Sequence, residues 1–201
     1  MSDQAPKYTC NEGDNSITLS GESAPDCVGK LLGARCFWPR HPRTPSEHRD
    51  DRLYSIFYDH MWTPGKDERA QCLYRTASMG AYRAGVPLEH ASPHGSCTCG
   101  LYAYYSYYRL RYDIPQTDRI EIFAVVSGWG DIEEHKNGFR SEYMRIEALV
   151  GPSLLNVRRR KVHKMIERFA EVYGVPVIWR PRQVHRWMDD FVGGVRLKSQ
   201  K

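Results

Sequence analysis

Residues 119–146 have the sequence RIEIFAVVSGWGDIEEHKNGFRSEYMRI. Apolar side chains recur at alternating positions on both sides of the centre, which predicts two β-strands. The Gly-Trp-Gly triplet at 128–130 permits a bulge or a sharp bend in the first strand. The Asn-Gly pair at 137–138 suits a type I′ turn. Together these signals predict a β-hairpin over residues 119–147.

Strand signals also precede this hairpin. Residues 53–58 have the composition of a strand, Pro64-Gly65 marks a turn, and residues 69–74 can form the returning strand. Residues 76–100 are rich in Gly and Pro and predict a long loop. In the tyrosine-rich segment 101–112, Leu and Tyr side chains recur at helical spacing, so we expect a short helix there.

A helix is predicted after the hairpin. Apolar residues recur at helical spacing over residues 154–173, which predicts a long helix that ends before Gly174. Residues 175–179 predict a short buried strand, and Pro181 suits the first turn of a last helix. The sequence therefore predicts an α+β fold with a small antiparallel sheet, the hairpin 119–147 and the long helix 154–173.

The predicted organisation is one domain with extensions. Residues 1–50 have little apolar periodicity and contain several prolines, so we expect an irregular N-terminal arm. Residues 51–192 are predicted to form a single α+β domain, followed by a basic tail, 193–201.

The composition of the chain indicates the cellular compartment in which the protein works. The chain has 201 residues, 41% hydrophobic residues and a mean hydropathy of −0.62. No apolar run approaches the roughly 20 residues that span a bilayer, and the N-terminus lacks the pattern of a secretory signal. We therefore expect no membrane partner and a reducing location, the cytoplasm, where cysteines often bind metals.

The cysteines suggest such a metal site. Cys97 and Cys99 are two residues apart, so in an extended segment both side chains project to one side. A structural zinc ion needs four ligands from Cys and His. Cys72 is a candidate for the third ligand, and His90 or His94 for the fourth. Such a site would clamp the long loop. The predicted α+β fold therefore includes a zinc-stapled loop, and residues 51–192 are predicted to be a zinc-binding domain.

The motif Cys72, His90-x-x-Pro93, Cys97-x-Cys99-Gly100-Leu101-Tyr102-Ala103 resembles a family of actinobacterial and actinophage proteins with no established activity. The similarity extends over roughly residues 53–177. The family has His-x-Ala-Pro where this chain has His90-Ala91-Ser92-Pro93, and Ile where it has Leu101. The resemblance implies that Cys72, His90, Cys97 and Cys99 are the metal ligands. It also implies a bacterial or phage origin, and so a location in the cytoplasm of a bacterial host cell.

The positive charge lies at the C-terminal end. Residues 152–201 contain 12 Lys and Arg against 4 Asp and Glu, whereas the preceding residues contain 17 against 20. This asymmetry indicates an acidic partner, either nucleic acid or an acidic host protein. A helix face that only contacts water is the alternative. The candidate phosphate-binding residues are Arg158, Arg159, Arg160, Lys164, Arg168 and Arg182.

No catalytic residue is predicted, because the chain lacks the common zinc-hydrolase, deaminase, serine-hydrolase and nucleotide-binding motifs. The acidic hairpin residues Glu133 and Glu134, with His135, are interpreted as solvated charge. We expect a small zinc-stabilised binding or regulatory protein that acts on nucleic acid or a host protein. The alternatives are an enzyme with a pocket beside the metal loop and a virion or assembly component.

Overall fold

The hairpin is the longest strand pair in the computed structural model, which describes residues 30–40, 51–56, 60–72, 90–114, 120–151 and 160–192. Its strands are Ile122–His135 and Gly138–Val150. The register shifts between Trp129 and Ile132, so the ladder is irregular where the Gly-Trp-Gly triplet predicted a bulge. The hairpin prediction is confirmed.

Within the described residues, eight strands form one sheet and three α-helices pack on it. The strands are Leu31–Arg40 (β1), Arg52–Ser55 (β2), Met61–Trp62 (β3), Glu68–Arg69 (β4), Leu101–Tyr104 (β5), Ile122–His135 (β6), Gly138–Val150 (β7) and Val177–Ile178 (β8). The helices are Tyr107–Asp113 (α1), Arg160–Tyr173 (α2) and Val184–Val192 (α3), and a short 3₁₀ helix, Pro181–Gln183, precedes α3.

The sheet curls round on itself. The pairs β1–β6, β6–β7 and β7–β5 are followed by a contact of β5 with β1, where Ala34 pairs with Tyr104. This circuit is closed, as in a small barrel. The pairs are antiparallel except for β7 with β8, which is parallel. The sheet is thus mixed and larger than the small antiparallel sheet that the sequence predicted.

Gly138 has a different role from the one predicted. The two-residue loop consists of Lys136 and Asn137, and Gly138 is the first residue of β7. A Cβ atom at Gly138 would lie 2.0 Å from the backbone oxygen of Ala103. The glycine therefore lets β5 approach β7, and the turn itself does not use it.

The buried apolar side chains form two cores. Along β6, Ile122, Ala124 and Val126 belong to the first core, while Val125 belongs to the second. Because alternate side chains of a strand point to opposite faces, the two cores lie on opposite faces of the sheet. Helix α2 packs in the first core, and α1 and α3 pack in the second.

Helix α2 has 14 described residues and is of ordinary length. The predicted start at 154 lies outside the described residues. Gly174 has a φ of +66°, and the N–H of Val175 donates to the oxygen of Ala170, a Schellman C-cap. The Tyr173 hydroxyl donates to the Trp62 oxygen at 2.7 Å and accepts from the Leu53 N–H at 2.8 Å. These bonds fix the helix to β2 and β3.

Two sequence predictions are wrong. Residues 31–40 form β1 in the centre of the sheet, so they are no part of an irregular arm; residues 1–29, 41–50 and 193–201 lie outside the described residues. The tyrosine-rich segment begins as β5, and helix α1 starts only after its N-cap Ser106. The α+β class is confirmed at this coarser level.

Candidate metal centre

Four potential ligand atoms lie together at the start of β5. The ligand atoms of Cys72, His90, Cys97 and Cys99 all lie within 4.8 Å of one another. The Cys72 and Cys97 sulfur atoms are 3.8 Å apart, and the Cys99 sulfur is 3.4 Å from Nε2 of His90. These residues are the four predicted ligands, and together they can hold a metal ion.

The separations of two ligand pairs can be compared with tetrahedral zinc geometry. Zinc binds sulfur at about 2.3 Å and nitrogen at about 2.0–2.1 Å, so tetrahedral angles place two sulfurs about 3.8 Å apart and a sulfur and a nitrogen about 3.5 Å apart. The observed values are 3.8 Å and 3.4 Å. Two of the separations in the cluster therefore match tetrahedral zinc geometry, and the other ligand atoms lie within 4.8 Å of one another.

Three of these four side chains come from one segment. In the sequence Cys97-Thr98-Cys99, both cysteines are buried and Thr98 is exposed, so the two thiols project to the same side as predicted. His90 lies at the other end of the same loop, and Cys72 follows β4. The cluster therefore joins the chain after β4 to the segment that leads into β5.

His94 is not part of the cluster. Its Nδ1 accepts hydrogen bonds from the Ser96 backbone N–H at 3.3 Å and from the Ser96 hydroxyl at 2.9 Å. Its ring lies against that of His90, with the centroids 4.8 Å apart. Of the two histidines that the spacing left open, the structure brings His90 to the thiols and places His94 beside it.

Arg140 supports the ligand loop, and sequence reasoning missed this role. Its guanidinium donates to the backbone oxygens of Cys97, Cys99 (2.9 Å) and His94 (3.1 Å), and it pairs with Glu133 at 2.5 Å. Arg140 is only 3% exposed. A buried charge that holds three carbonyls of one loop fixes the path of that loop.

The thiols differ in acidity. Burial opposes ionisation of Cys97, but hydrogen bonds from the Cys99 backbone and from the Cys99, Cys72 and His90 side chains outweigh it and lower the pKa of Cys97. Burial, reinforced by the neighbouring Cys97 and Cys72, raises the pKa of Cys99 to about 11. Cys97 therefore loses its proton more easily, and a metal ion must displace the proton of Cys99 to bind there.

A cleft of about 480 Å³ lies beside the ligand loop. It is bounded by residues 95–98 of the loop, by β5 and by the tip of the β6–β7 hairpin, and Arg140 lines it. Glu133 and His135, which sequence reasoning interpreted as solvated charge, line the same cleft. The register of β6, β7 and β5 brings them there, and a register is not visible in sequence periodicity alone.

The predicted basic residues are spread over different elements. Arg158 and Arg159 lie outside the described residues, and Arg160 is the first residue of α2. Lys164 is exposed on α2, beside a shallow pocket of about 350 Å³ that Arg168 also lines. Arg182 is exposed in the 3₁₀ helix before α3.

Arg168 already has a partner within the protein. Its guanidinium pairs with the carboxylate of Asp51, which is only 1% exposed. An ion pair with a buried carboxylate contributes to the fold, because it offsets part of the cost of burying that charge. Arg168 is therefore less available for phosphate than its position in the sequence suggested.

Within the part of the chain that the structure describes, no helix combines the length and the apolar character that crossing a bilayer requires. Comparison with known proteins adds no relationship: no family model, no curated protein and no solved structure matches this chain.

Proposed function

We propose that this chain is a small zinc-stabilised binding or regulatory protein of bacterial or phage origin. Cys72, His90, Cys97 and Cys99 would bind one zinc ion, and the site would be structural. The observation that carries this proposal is the separation of the ligand atoms, 3.8 Å between Cys72 and Cys97 and 3.4 Å between Cys99 and His90, which fits tetrahedral Zn–S and Zn–N geometry.

The number of ligands favours a structural role over catalysis. Structural zinc sites use four protein ligands, whereas catalytic sites keep one position for water or substrate. Here four side chains from the described residues converge, two of them buried cysteines. The segment 90–100 has turns and bends but no strand or helix, so the free energy of metal binding would serve to order it.

Elemental analysis of the purified protein tests the proposal. We expect about one zinc ion per chain in the wild type, the stoichiometry of a single four-ligand site, and loss of this zinc in Cys97→Ser. Cys36→Ala is the matched control, because Cys36 is a buried thiol that belongs to the second core. This control should retain zinc. A wild-type protein without zinc, refolded with zinc present, would contradict the proposal.

The partner that we propose is nucleic acid or an acidic host protein, bound through the basic C-terminal region. The support is the charge of residues 152–201, 12 basic against 4 acidic, together with the exposure of Lys161 and Lys164 on α2. Positive residues on one helix face attract phosphate groups or carboxylates.

The cleft beside the ligand loop favours a second candidate, an enzyme of unassigned reaction. A cleft of about 480 Å³ falls within the range of small-molecule sites. Cobalt substitution separates the two candidates. A tetrahedral cobalt–thiolate spectrum that added imidazole or cyanide leaves unchanged supports the structural site. A spectrum that responds to these ligands indicates an open coordination position and supports the enzyme.

A further inference from the structure

Helix α1 exposes two tyrosine rings to solvent. Tyr108 is 51% and Tyr112 is 83% exposed, whereas Tyr107 and Leu110 pack the helix into the second core. The two exposed tyrosines are four residues apart, so they lie on one face of the helix, about 6 Å apart along its axis. The packing of α1 does not bury these rings, and neighbouring exposed aromatic side chains indicate an interaction surface.

Each exposed ring has a side chain against one of its faces. The ring of His185 on α3 is stacked on Tyr108, with the centroids 5.8 Å apart and an angle of 26° between the planes. The guanidinium carbon of Arg109 lies 5.8 Å from the centroid of Tyr112. The exposed fractions of the two tyrosines show that their other faces are open to a ligand. The surface therefore extends from α1 to α3.

Positive side chains accompany these rings. Arg111 is exposed and lies on the same face of α1 as the two tyrosines. Arg182 is exposed in the 3₁₀ helix that leads into α3. The carboxylate of Asp113 pairs with Arg109 at 2.9 Å, so its charge is balanced within α1. Together, α1, α3 and the segment 180–183 contain five Arg and three Asp, an excess of positive charge that complements an anionic partner.

We propose that this surface, formed by Tyr108, Tyr112, His185, Arg111 and Arg182, binds single-stranded nucleic acid. Unpaired bases would stack on the open faces of the two tyrosines, and the arginines would contact phosphates, as on other platforms for single strands. The proposal rests on the proposed function, because it takes nucleic acid as the partner. It adds a surface separate from the basic face of α2, since α2 packs in the first core and α1 and α3 pack in the second.

Fluorescence anisotropy on the full-length protein tests this proposal, with the zinc content of each sample measured in parallel. The probes are fluorescein-labelled oligothymidylate, an abasic strand of the same length and labelled polyglutamate. The abasic strand keeps the phosphates and lacks the bases, so it binds by charge alone. We expect oligothymidylate to bind at least about fivefold more tightly than the abasic strand, because stacked bases add to the phosphate contacts.

Two variants test the stacking contacts. Tyr108→Ala and Tyr112→Ala should each weaken binding of oligothymidylate at least about fivefold, the lower limit for one stacked base. Neither should change the slope of log K against log salt, because no phosphate contact is lost. Tyr112→Phe keeps the ring and should bind like the wild type. Met61→Ala is the second control, because it removes a side chain on β3 that is 44% exposed and lies outside this surface.

The outcomes separate this proposal from the proposed function. Equal binding of the two strands, or a Tyr112→Ala variant that binds oligothymidylate like the wild type, would overturn the stacking surface and leave the zinc site and the basic region standing. An equal loss of polyglutamate binding in Tyr112→Ala would assign the surface to an acidic polypeptide. A wild-type dimer that Tyr112→Ala dissociates, measured by sedimentation, would assign it to a second copy of the chain. A protein without zinc would contradict the proposed function, whichever probe binds.

Discussion

His90 and His94 are chemically equal in the sequence, and their surroundings in the structure distinguish them. Nε2 of His90 is 3.4 Å from the Cys99 sulfur, whereas Nδ1 of His94 accepts from Ser96. We predict that His90→Ala loses zinc affinity by more than the about 10–100-fold typical of residues that only support a ligand. His94→Ala should lose at most that amount. Competition with a chromophoric chelator measures both affinities.

The two variants control for each other, because each removes one imidazole group from the same loop. Equal losses in the two variants would show that the loop is disturbed as a whole. A larger loss in His94→Ala would assign the ligand to His94 and contradict the arrangement seen here.

Individual residues also show what the sequence can and cannot reveal. The spacing of Cys97 and Cys99 is a local property, and it predicted two thiols on one side of the chain. Arg140 is 41 positions from Cys99, and its bonds to the loop carbonyls depend on the β5–β7 register. Cross-strand contacts of this kind have no local signature, since one arginine in a strand resembles any other.

At the scale of the elements, Gly138 and Gly174 form an informative pair. A Cβ at Gly138 would meet the Ala103 oxygen at 2.0 Å, and the neighbouring β5 backbone cannot move away without losing its hydrogen bonds. We predict that Gly138→Ala lowers the free energy of unfolding by about 3 kcal/mol or more, at the upper end of overpacking costs. Urea denaturation followed by circular dichroism measures this change.

Gly174→Ala is the control for the loss of a glycine. Gly174 has a positive φ, +66°, but nothing lies within 4 Å of an added Cβ. The cost should therefore be only the left-handed conformation of alanine, about 1–2 kcal/mol. If Gly138→Ala proves no more destabilising than Gly174→Ala, the approach of β5 does not determine the requirement for glycine at position 138.

Two elements show why hydrophobic periodicity alone did not predict the secondary structure correctly. Strand β1 contributes side chains to both cores, so it lacks the alternation of a half-buried strand, and it contains Gly33 and Pro39, which usually weaken strands. In the tyrosine-rich segment, the residues that recur at helical spacing do not form one buried face in the structure. Tyr108 is 51% and Tyr112 is 83% exposed, and the helix buries Tyr107 and Leu110 instead.

At the scale of the whole molecule, closure of the sheet and the distribution of charge both depend on long-range contacts. The hairpin was predicted because its strands are adjacent in the sequence. The pairing of β1 with β6 joins residues about ninety positions apart, and no turn signal announces such a pair. The charge asymmetry was visible in the sequence, but the pairing of Arg168 with Asp51 was not.

The proposed partner of the basic region is tested by the salt dependence of binding. Each phosphate contact that is lost should reduce the slope of log K against log salt by about 1. We predict that reversing two charges, Arg159→Glu and Arg160→Glu, weakens binding of a fluorescein-labelled oligonucleotide and reduces this slope by about 2. Fluorescence anisotropy over a range of salt concentrations measures both quantities.

Arg145 provides the control, because it lies on β7, is 42% exposed and pairs with Asp67, so that it is outside the proposed surface. Arg145→Glu alone changes the net charge by half as much as Arg159→Glu with Arg160→Glu. Combining Arg145→Glu with Arg69→Glu gives a control variant with the same change in net charge. If this matched variant reduces the slope equally, the protein attracts nucleic acid only through its net charge, and the helix surface has no special role.

If labelled polyglutamate binds more tightly than the oligonucleotide and loses affinity in the Arg159 and Arg160 variant, the surface binds an acidic protein. If neither probe binds the wild type, the basic face of α2 only contacts water, and the proposal of an acidic partner fails.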